Sequence, residues 1–182
     1  MKIYVESRNY VERMMEINPE WYIGKYIISI YSSEKGIDFS PLPDRFNILK
    51  LQFDDVAVRD IGGWGSLIDN CIFFNEEHAK AIHDFINNIK ADDKKEFYVH
   101  CDAGVSRSGA VGYLLNEYFN KFITDNKQDY ESFKMNNSHI MPNPLVVRVL
   151  KQELFGLPFA GIEVNDYEYN ENGERIDHKE KI

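Results

Sequence analysis

The sequence has few cysteines, fewer basic than acidic residues and no long apolar run. Only Cys71 and Cys101 occur among the 182 residues, and they lie in strings too different for a structural disulfide framework. They form no CxxC pair and the five histidines are scattered, so we expect no metal and no other cofactor. No stretch approaches the roughly 18 apolar residues of a membrane helix. Residues 1–10 show no secretion signal. These absences predict a cytoplasmic protein with no membrane partner.

The charge balance is acidic, with 30 Asp and Glu against 21 Lys and Arg and a net charge of -9. Affinity for nucleic acids comes largely from Lys and Arg that neutralise phosphates, so we expect no nucleic-acid partner. The 43% of hydrophobic residues favours a globular fold. The length fits a single domain, which we expect over residues 1–160. Residues 161–182 are predicted to form either an acidic tail or an edge hairpin that turns at Asn172-Gly173.

Apolar periodicity predicts strands that alternate with helices. The predicted strands are rich in β-branched and aromatic residues and are Lys2–Val5, Tyr26–Tyr31, Asn47–Phe53 and Glu96–His100. Predicted helices cover Glu76–Ile89 after an Asn75 N-cap, the run from Val111 to Phe122, Gln128–Asn136, and a segment that begins at Asn143-Pro144 and ends at Gly156. The alternation predicts an α/β layered fold.

Residues 97–109 combine an apolar strand, a short loop with a glycine, and the start of a helix. A loop of this kind turns successive backbone N–H groups inward, and a helix N-terminus adds about half a positive charge. A phosphate dianion fits such a cradle. A thiol in that field has its thiolate form favoured, so Cys101 is a predicted nucleophile. Arg107 lies six positions on and offers a planar fork that matches two phosphate oxygens.

The motif His100-Cys101-x5-Arg107-Ser108 resembles the signature of the cysteine-based protein phosphatases. Residues 103–108 resemble the dual-specificity branch in particular, and residues 140–143 resemble the start of a helix in that family. The resemblance implies a central, mostly parallel sheet of about four to five strands with helices on both faces.

The resemblance also assigns roles to the residues of the loop. It implies that Cys101 attacks phosphorus, that Arg107 stabilises the equatorial oxygens, and that Ser108 hydrogen-bonds the thiolate as it departs from the intermediate. His100 would orient the loop without touching the substrate. The backbone N–H groups that would bind phosphate are those of Asp102, Ala103, Gly104, Val105, Ser106 and Arg107.

The same family uses an aspartate on an upstream loop to protonate the leaving oxygen. Residues 51–55 match the shape of that segment and place Asp55 at the position of the acid. Asp54, one residue away, and Asp60, on the glycine-rich stretch that follows, remain alternatives. That stretch predicts either a moving loop with Trp64 as an apolar lid or a solvated connection.

The function predicted from the resemblance is phosphomonoester hydrolysis through a cysteinyl phosphate, with a phosphorylated protein or a small phosphomonoester as substrate. A shallow cleft that accepts phosphotyrosine, and phosphoserine or phosphothreonine as well, fits the absence of a longer phosphotyrosine-recognition loop. Two alternatives stay open: a catalytically silent phosphate-binding module, and an RNA 5′-phosphatase, against which the acidic balance counts. Cys71, among apolar neighbours, is predicted to be a packed core thiol.

Overall fold

The computed structural model describes residues 1–33, 42–56, 71–89 and 95–156, and two short strands at 168–169 and 175–176. Its central sheet has four strands in the order β1-β4-β2-β3, and every neighbouring pair is parallel. The strands are β1 (Lys2–Ser7), β2 (Tyr26–Tyr31), β3 (Ile48–Gln52) and β4 (Glu96–Cys101). The predicted α/β fold with a parallel sheet is confirmed.

Both faces of this sheet are buried. The central strands β2 and β4 carry unbroken runs of buried residues at 27–30 and 97–101, which is the pattern of a parallel sheet covered on both sides. Alternate residues along each strand belong to two separate apolar clusters. In β4, Phe97 and Val99 contribute to one cluster and Tyr98 to the other.

Five α-helices within the described residues cover the sheet, and they are α1 (Arg8–Ile17), α2 (Glu76–Asn87), α3 (Arg107–Asn116), α4 (Lys127–Asn136) and α5 (Pro144–Phe155). Val11 of α1 packs in the Tyr98 cluster. Helices α2, α3 and α5 contribute to the opposite cluster, the larger of the two. Helices therefore lie on both faces, as predicted.

The ends of the helices follow their capping residues. Asn75 accepts a hydrogen bond from His78 N at 3.1 Å and begins α2. Asn143 accepts from the backbone N–H groups of the first turn of α5, and Gly156 ends that helix with a φ of 60°. These three predicted boundaries are confirmed, because each depends on a local contact within a few residues.

Two features differ from the sequence-based expectation. Helix α1 was not predicted, although Ser7 caps it by accepting from Tyr10 N at 3.2 Å. The predicted helical run after Val111 changes to a π-helix at Glu117–Ile123. Each π-turn holds more residues than an α-turn, which rotates the following side chains around the axis. Phe122, which lies in this segment, is 58% exposed.

The four parallel strands bring their carboxyl ends to one edge of the sheet, where binding sites of open parallel sheets form. Polar residues follow each strand at this edge: Arg8 after β1, Ser32 after β2, Asp54 and Asp55 after β3, and Asp102 after β4.

The C-terminal stretch contains a further pair of short strands. Glu168–Tyr169 and Arg175–Ile176 pair antiparallel, while the predicted turn at Asn172-Gly173 lies outside the described residues. None of the described helices is both long enough and apolar enough to cross a bilayer.

Candidate active site

The loop between β4 and α3 turns its backbone carbonyl groups outward. Asp102 O accepts from Arg8 N at 3.2 Å, Val105 O from Met141 N at 3.1 Å, and Ser106 O from Asn143 N at 3.1 Å. In a planar trans peptide the C=O and the next N–H point in opposite directions. The N–H groups of residues 103, 106 and 107 are therefore directed toward the inside of the loop. This is the geometry of an anion cradle.

Cys101 ends β4 at the base of this cradle and is 2% exposed. Its Sγ lies 3.1 Å from Ser108 Oγ and accepts from the backbone N–H of Gly104 at 3.3 Å. The Gly104 N–H donates to the sulfur, whereas in the contact with Ser108 either the hydroxyl or the sulfur can be the donor. Ser108 thus lies where the family resemblance places it, beside the sulfur.

Gly104 is required at its position for two reasons. Its φ is +76°, in the left-handed region that side chains rarely adopt. A Cβ there would also lie 2.6 Å from the carbonyl carbon of Glu6. The loop therefore packs directly on the backbone at the end of β1.

Arg107 is the first residue of α3 and is 4% exposed. Its Nη1 donates to Ser32 Oγ and to Phe53 O, both at 2.9 Å, and its Nη2 donates to Asp102 Oδ2 at 2.5 Å. Its Nε is buried and has no hydrogen-bond partner among the described residues. The guanidinium is therefore held by three hydrogen bonds, which leaves the buried Nε–H and one Nη2 hydrogen for a ligand.

Asp102 is the acidic partner of this arginine and is itself held in place. Arg8 Nη2 lies 2.7 Å from Asp102 Oδ1, and Ser32 Oγ donates to Asp102 Oδ2 at 2.9 Å. Burial opposes ionisation of Asp102, but the hydrogen bonds from Arg107 and Ser32 and the two arginine charges hold its pKa below the ordinary value. Asp102 is a carboxylate at neutral pH. From the sequence alone, only the backbone N–H of Asp102 has a predicted role.

The two adjacent aspartates after β3 have different partners. Asp55 Oδ1 accepts from Ser106 Oγ and from Asn143 Nδ2, both at 2.7 Å, so its exposed carboxylate lies beside the phosphate loop. Asp54 accepts from the N–H and the hydroxyl of Ser33 and from Ile72 N. Asp60 lies outside the described residues.

Asp54 is the less suitable proton donor of the pair. Burial alone would raise its pKa, but the hydrogen bonds from Ser33 and Ile72 and the charge of Arg107 lower it below the ordinary value. Asp54 thus stays ionised and its oxygens are occupied within the loop. It ties the segment after β2 to the segment before α2.

Asn143, which the sequence predicts as a helix cap, also contacts Asp55. Its Oδ1 caps α5, while its Nδ2 donates to Asp55 and also to Val56 O at 3.3 Å. The contact joins residues 88 positions apart. Its signal in the sequence is the same Pro-Asn-Pro string that predicts the cap, and nothing in that string indicates the second partner.

His100 precedes Cys101 and is buried, and neither ring nitrogen has a hydrogen-bond partner among the described residues. Burial, followed by the charge of Arg8, lowers its pKa to about 4. The imidazole is neutral at physiological pH.

Cys71 lies next to Ile72 and is partly buried, and no disulfide joins it to Cys101. Across the described part of the chain, no group of three or more His, Cys, Asp or Glu side chains is arranged to hold a metal ion.

The sheet order, the cradle and the residues around Cys101 together define a dual-specificity phosphatase-like fold with a loop of the HCx5R type. The human tyrosine phosphatase-like serine/threonine/tyrosine-interacting protein superimposes with a TM-score of 0.52 at 18% identity, over 82% of this chain and 89% of that one. Human DUSP28 gives a TM-score of 0.50 at 13% identity, over 84% and 87% of the two chains. No family model matches the sequence, and no curated protein matches it significantly.

Proposed function

We propose that this protein is a cysteine-dependent phosphomonoester hydrolase that acts on phosphorylated protein side chains. One observation carries the proposal: the Cys101 sulfur lies at the base of an anion cradle, between the Ser108 hydroxyl and the Gly104 N–H, with Arg107 anchored beside it. A structural cysteine has no need of a loop whose N–H groups converge, or of a buried cation with an unpaired donor.

The proposed reaction has two steps. The Cys101 thiolate attacks phosphorus, an S–P bond forms, and the ester P–O bond breaks as Asp55 gives its proton to the leaving oxygen. Water then attacks the phosphocysteine, Asp55 takes the proton from that water, and the S–P bond breaks to release phosphate. Ser108 donates to the departing thiolate at that point. Arg107 and the loop N–H groups stabilise the charge on the phosphoryl oxygens in both steps.

The first test is turnover of an aryl phosphate by wild type and Cys101→Ser, with and without chelator. We expect the wild type to be active in chelator and inhibited by vanadate, and Cys101→Ser to be inactive while it still binds inorganic phosphate, because the cradle and Arg107 remain. Loss of wild-type activity on chelation would contradict the proposal.

The second test separates the candidate acids. Asp55→Asn should lower kcat by about 10² to 10⁴, the usual contribution of general acid catalysis, with a poor leaving group such as tyrosine. An activated phenol departs almost unaided, so the loss should be much smaller with that substrate. Asp54→Asn is the matched control and should show no dependence on the leaving group. If Asp54→Asn or Asp60→Asn shows that dependence and Asp55→Asn does not, the acid is misassigned.

A silent phosphate-binding module is the second candidate. One structural neighbour is the human tyrosine phosphatase-like serine/threonine/tyrosine-interacting protein, so this fold also occurs in a protein named for an interaction. Phosphate binding without turnover by the wild type, in the presence of an intact Cys101 thiol, would favour it. An RNA 5′-phosphatase is disfavoured by the net charge of -9.

A further inference from the structure

The buried side chain of Arg107 carries five N–H donors, and the structure accounts for three of them. Nη1 uses both of its hydrogens, on Ser32 Oγ and Phe53 O. Nη2 uses one, on Asp102 Oδ2. The donors that remain are the Nε–H and the second hydrogen of Nη2. These two lie on the same edge of the planar guanidinium, parallel to each other, which is the arrangement that grips two oxygens of one phosphoryl group.

The contacts on the other edges therefore decide which edge faces the ligand. Without Asp102, the edge of the guanidinium formed by Nη1 and Nη2 could also bind an oxyanion. Like the edge formed by Nε and Nη2, it offers two parallel N–H donors. The Asp102 carboxylate excludes this because it accepts from Nη2 and because its charge repels a phosphate at that edge. Arg8 holds the second oxygen of Asp102 at 2.7 Å, so the carboxylate cannot rotate without breaking an ion pair.

We propose that Asp102 is a positioning residue that, together with Ser32, holds the Arg107 guanidinium so that its Nε and Nη2 edge faces the phosphoryl group. The inference rests on the proposed function. It assigns to the Asp102 side chain a role that is separate from phosphate binding by the loop backbone. The contribution is made in the transition state, where two parallel donors must match the equatorial oxygens.

This role predicts that removal of the Asp102 charge affects the binding of a ground-state phosphate and of a transition-state analogue in opposite ways. Asp102 is a negative charge close to the anion site, so its removal alone does not weaken the attraction for a ground-state phosphate. A substitution that disrupts the structure of the loop would weaken the binding of every oxyanion. A substitution that disturbs only the orientation of Arg107 weakens mainly the binding of a ligand that resembles the transition state. Vanadate is that ligand, because it binds the thiolate in a five-coordinate geometry, and inorganic phosphate represents the ground state.

The test measures both ligands by calorimetry with wild type and Asp102→Asn, which removes the charge and keeps the shape. We expect vanadate affinity to fall about 10- to 100-fold, the loss that one charge-assisted hydrogen bond produces, while phosphate affinity is kept or improved. With an aryl phosphate, kcat should fall and KM should not rise. Asp44→Asn, on an exposed carboxylate that pairs with Lys50, makes the same change of net charge and should leave both affinities unchanged.

A double-mutant cycle tests whether Asp102 acts through Arg107. In an Arg107→Lys background there is no planar fork to orient, so Asp102→Asn should change vanadate affinity by less than about threefold. Equal losses in the two backgrounds would overturn the inference, and so would parallel losses of phosphate and vanadate affinity. Thermal melting of each variant checks that it folds, and Asp102→Ala replaces the Asn variant if that one does not.

The outcomes for the two proposals are distinguishable. A wild type that shows the vanadate and phosphate split on Asp102→Asn but hydrolyses no aryl phosphate would support the positioning role and contradict the proposed hydrolase. A wild type that hydrolyses the ester, with no split in Asp102→Asn, would leave the hydrolase standing and remove the positioning role. Failure of the wild type to bind either oxyanion would overturn both.

Discussion

Asp54 and Asp55 are neighbours in the chain with the same side chain, and their surroundings give them different roles. Asp54 is turned into its own loop and accepts from Ser33 and Ile72, which keeps it ionised. Asp55 is turned across the cleft toward Ser106 and Asn143. Successive side chains of an extended segment point to opposite sides, so only the Asp55 carboxylate of this pair faces Ser106 at the loop after β4.

The burial of His100 predicts how the stability of the protein depends on pH. Its pKa is lowered to about 4 in the folded protein because the ring is buried, whereas an unfolded imidazole titrates near 6.5. As the pH falls below 6.5 the unfolded state takes up the proton and the folded state does not, so stability falls until the pH reaches about 4. Between pH 7.5 and 4.5 this group alone should remove about 2–3 kcal/mol from the free energy of unfolding.

Denaturant unfolding at a series of pH values checks this, with His100→Gln as the variant. The variant should lose less stability between pH 7.5 and 4.5 than wild type does, whereas His139→Gln, on an exposed imidazole, should follow the wild-type curve. The same slope in His100→Gln and wild type would contradict the prediction. An NMR titration of the His100 ring gives an independent measurement if the variant is too unstable to compare.

At the scale of elements, α3 approaches β1 closely enough that only a glycine fits between them. A Cβ on Gly112 would lie 2.5 Å from Val5 Cγ2. Alanine in a helix interior is normally favoured over glycine by about 1 kcal/mol, so the close contact reverses the usual preference. The approach matters for the site because α3 begins at Arg107 and β1 ends beside the loop.

Gly112→Ala should therefore destabilise the protein by about 1–3 kcal/mol, the typical cost of overpacking a core, as measured by denaturant unfolding. Val5→Ala removes the methyl group that a new Cβ would meet. The double variant Val5→Ala/Gly112→Ala should lose less than the sum of the two single losses, since the contact is shared. Additive losses would show that the helix moves away from the strand without strain.

The elements that sequence reasoning predicted are those with local signals. β-Branched runs marked all four strands to within two residues at each end, and Asn75, Asn143 and Gly156 marked helix ends, because each cap is satisfied within one turn. Helix α1 was missed although Val11 is buried and Met14 and Met15 pack beside it, because the helix begins at Arg8 directly after β1 ends at Ser7, with no Gly or Pro turn between them. The spacing of apolar residues in the sequence does not distinguish the π-helix from a continued α-helix.

The site was predictable only in part, for the same reason. Cys101 and Arg107 lie six positions apart at the two ends of one loop, and their spacing is visible in the sequence. The contacts of Asp55 with Asn143 and of Asp102 with Arg8 join distant parts of the chain. They exist because the parallel strands end at one edge, and that is a property of the assembled sheet.

At the scale of the whole molecule, each strand contributes to the candidate site through the residues that follow its carboxyl end. β1 contributes Arg8, β2 contributes Ser32, β3 contributes Asp55, and β4 contributes Cys101 with the phosphate loop. The positive charge of the cradle is therefore confined to this edge. The rest of the chain brings the net charge to -9.

This imbalance predicts how substrate charge and salt affect the reaction. A phosphopeptide flanked by Lys and Arg is attracted by the acidic molecule as a whole, and one flanked by Asp and Glu is repelled. At low ionic strength kcat/KM for the basic peptide should exceed that for an acidic peptide of equal length by about tenfold. The ratio should approach one as salt shortens the screening length, which is already about 8 Å at 0.15 M.

The measurement is phosphate release from the two peptides between 0.02 and about 0.5 M salt. An aryl phosphate without a peptide serves as the control for effects of salt on the chemical step, and its rates normalise both series. A preference for the acidic peptide at low salt would contradict the argument from net charge. It would show that cations near the cleft outweigh the acidic remainder of the surface, and Arg8, beside the loop on the first turn of α1, would be the first residue to replace.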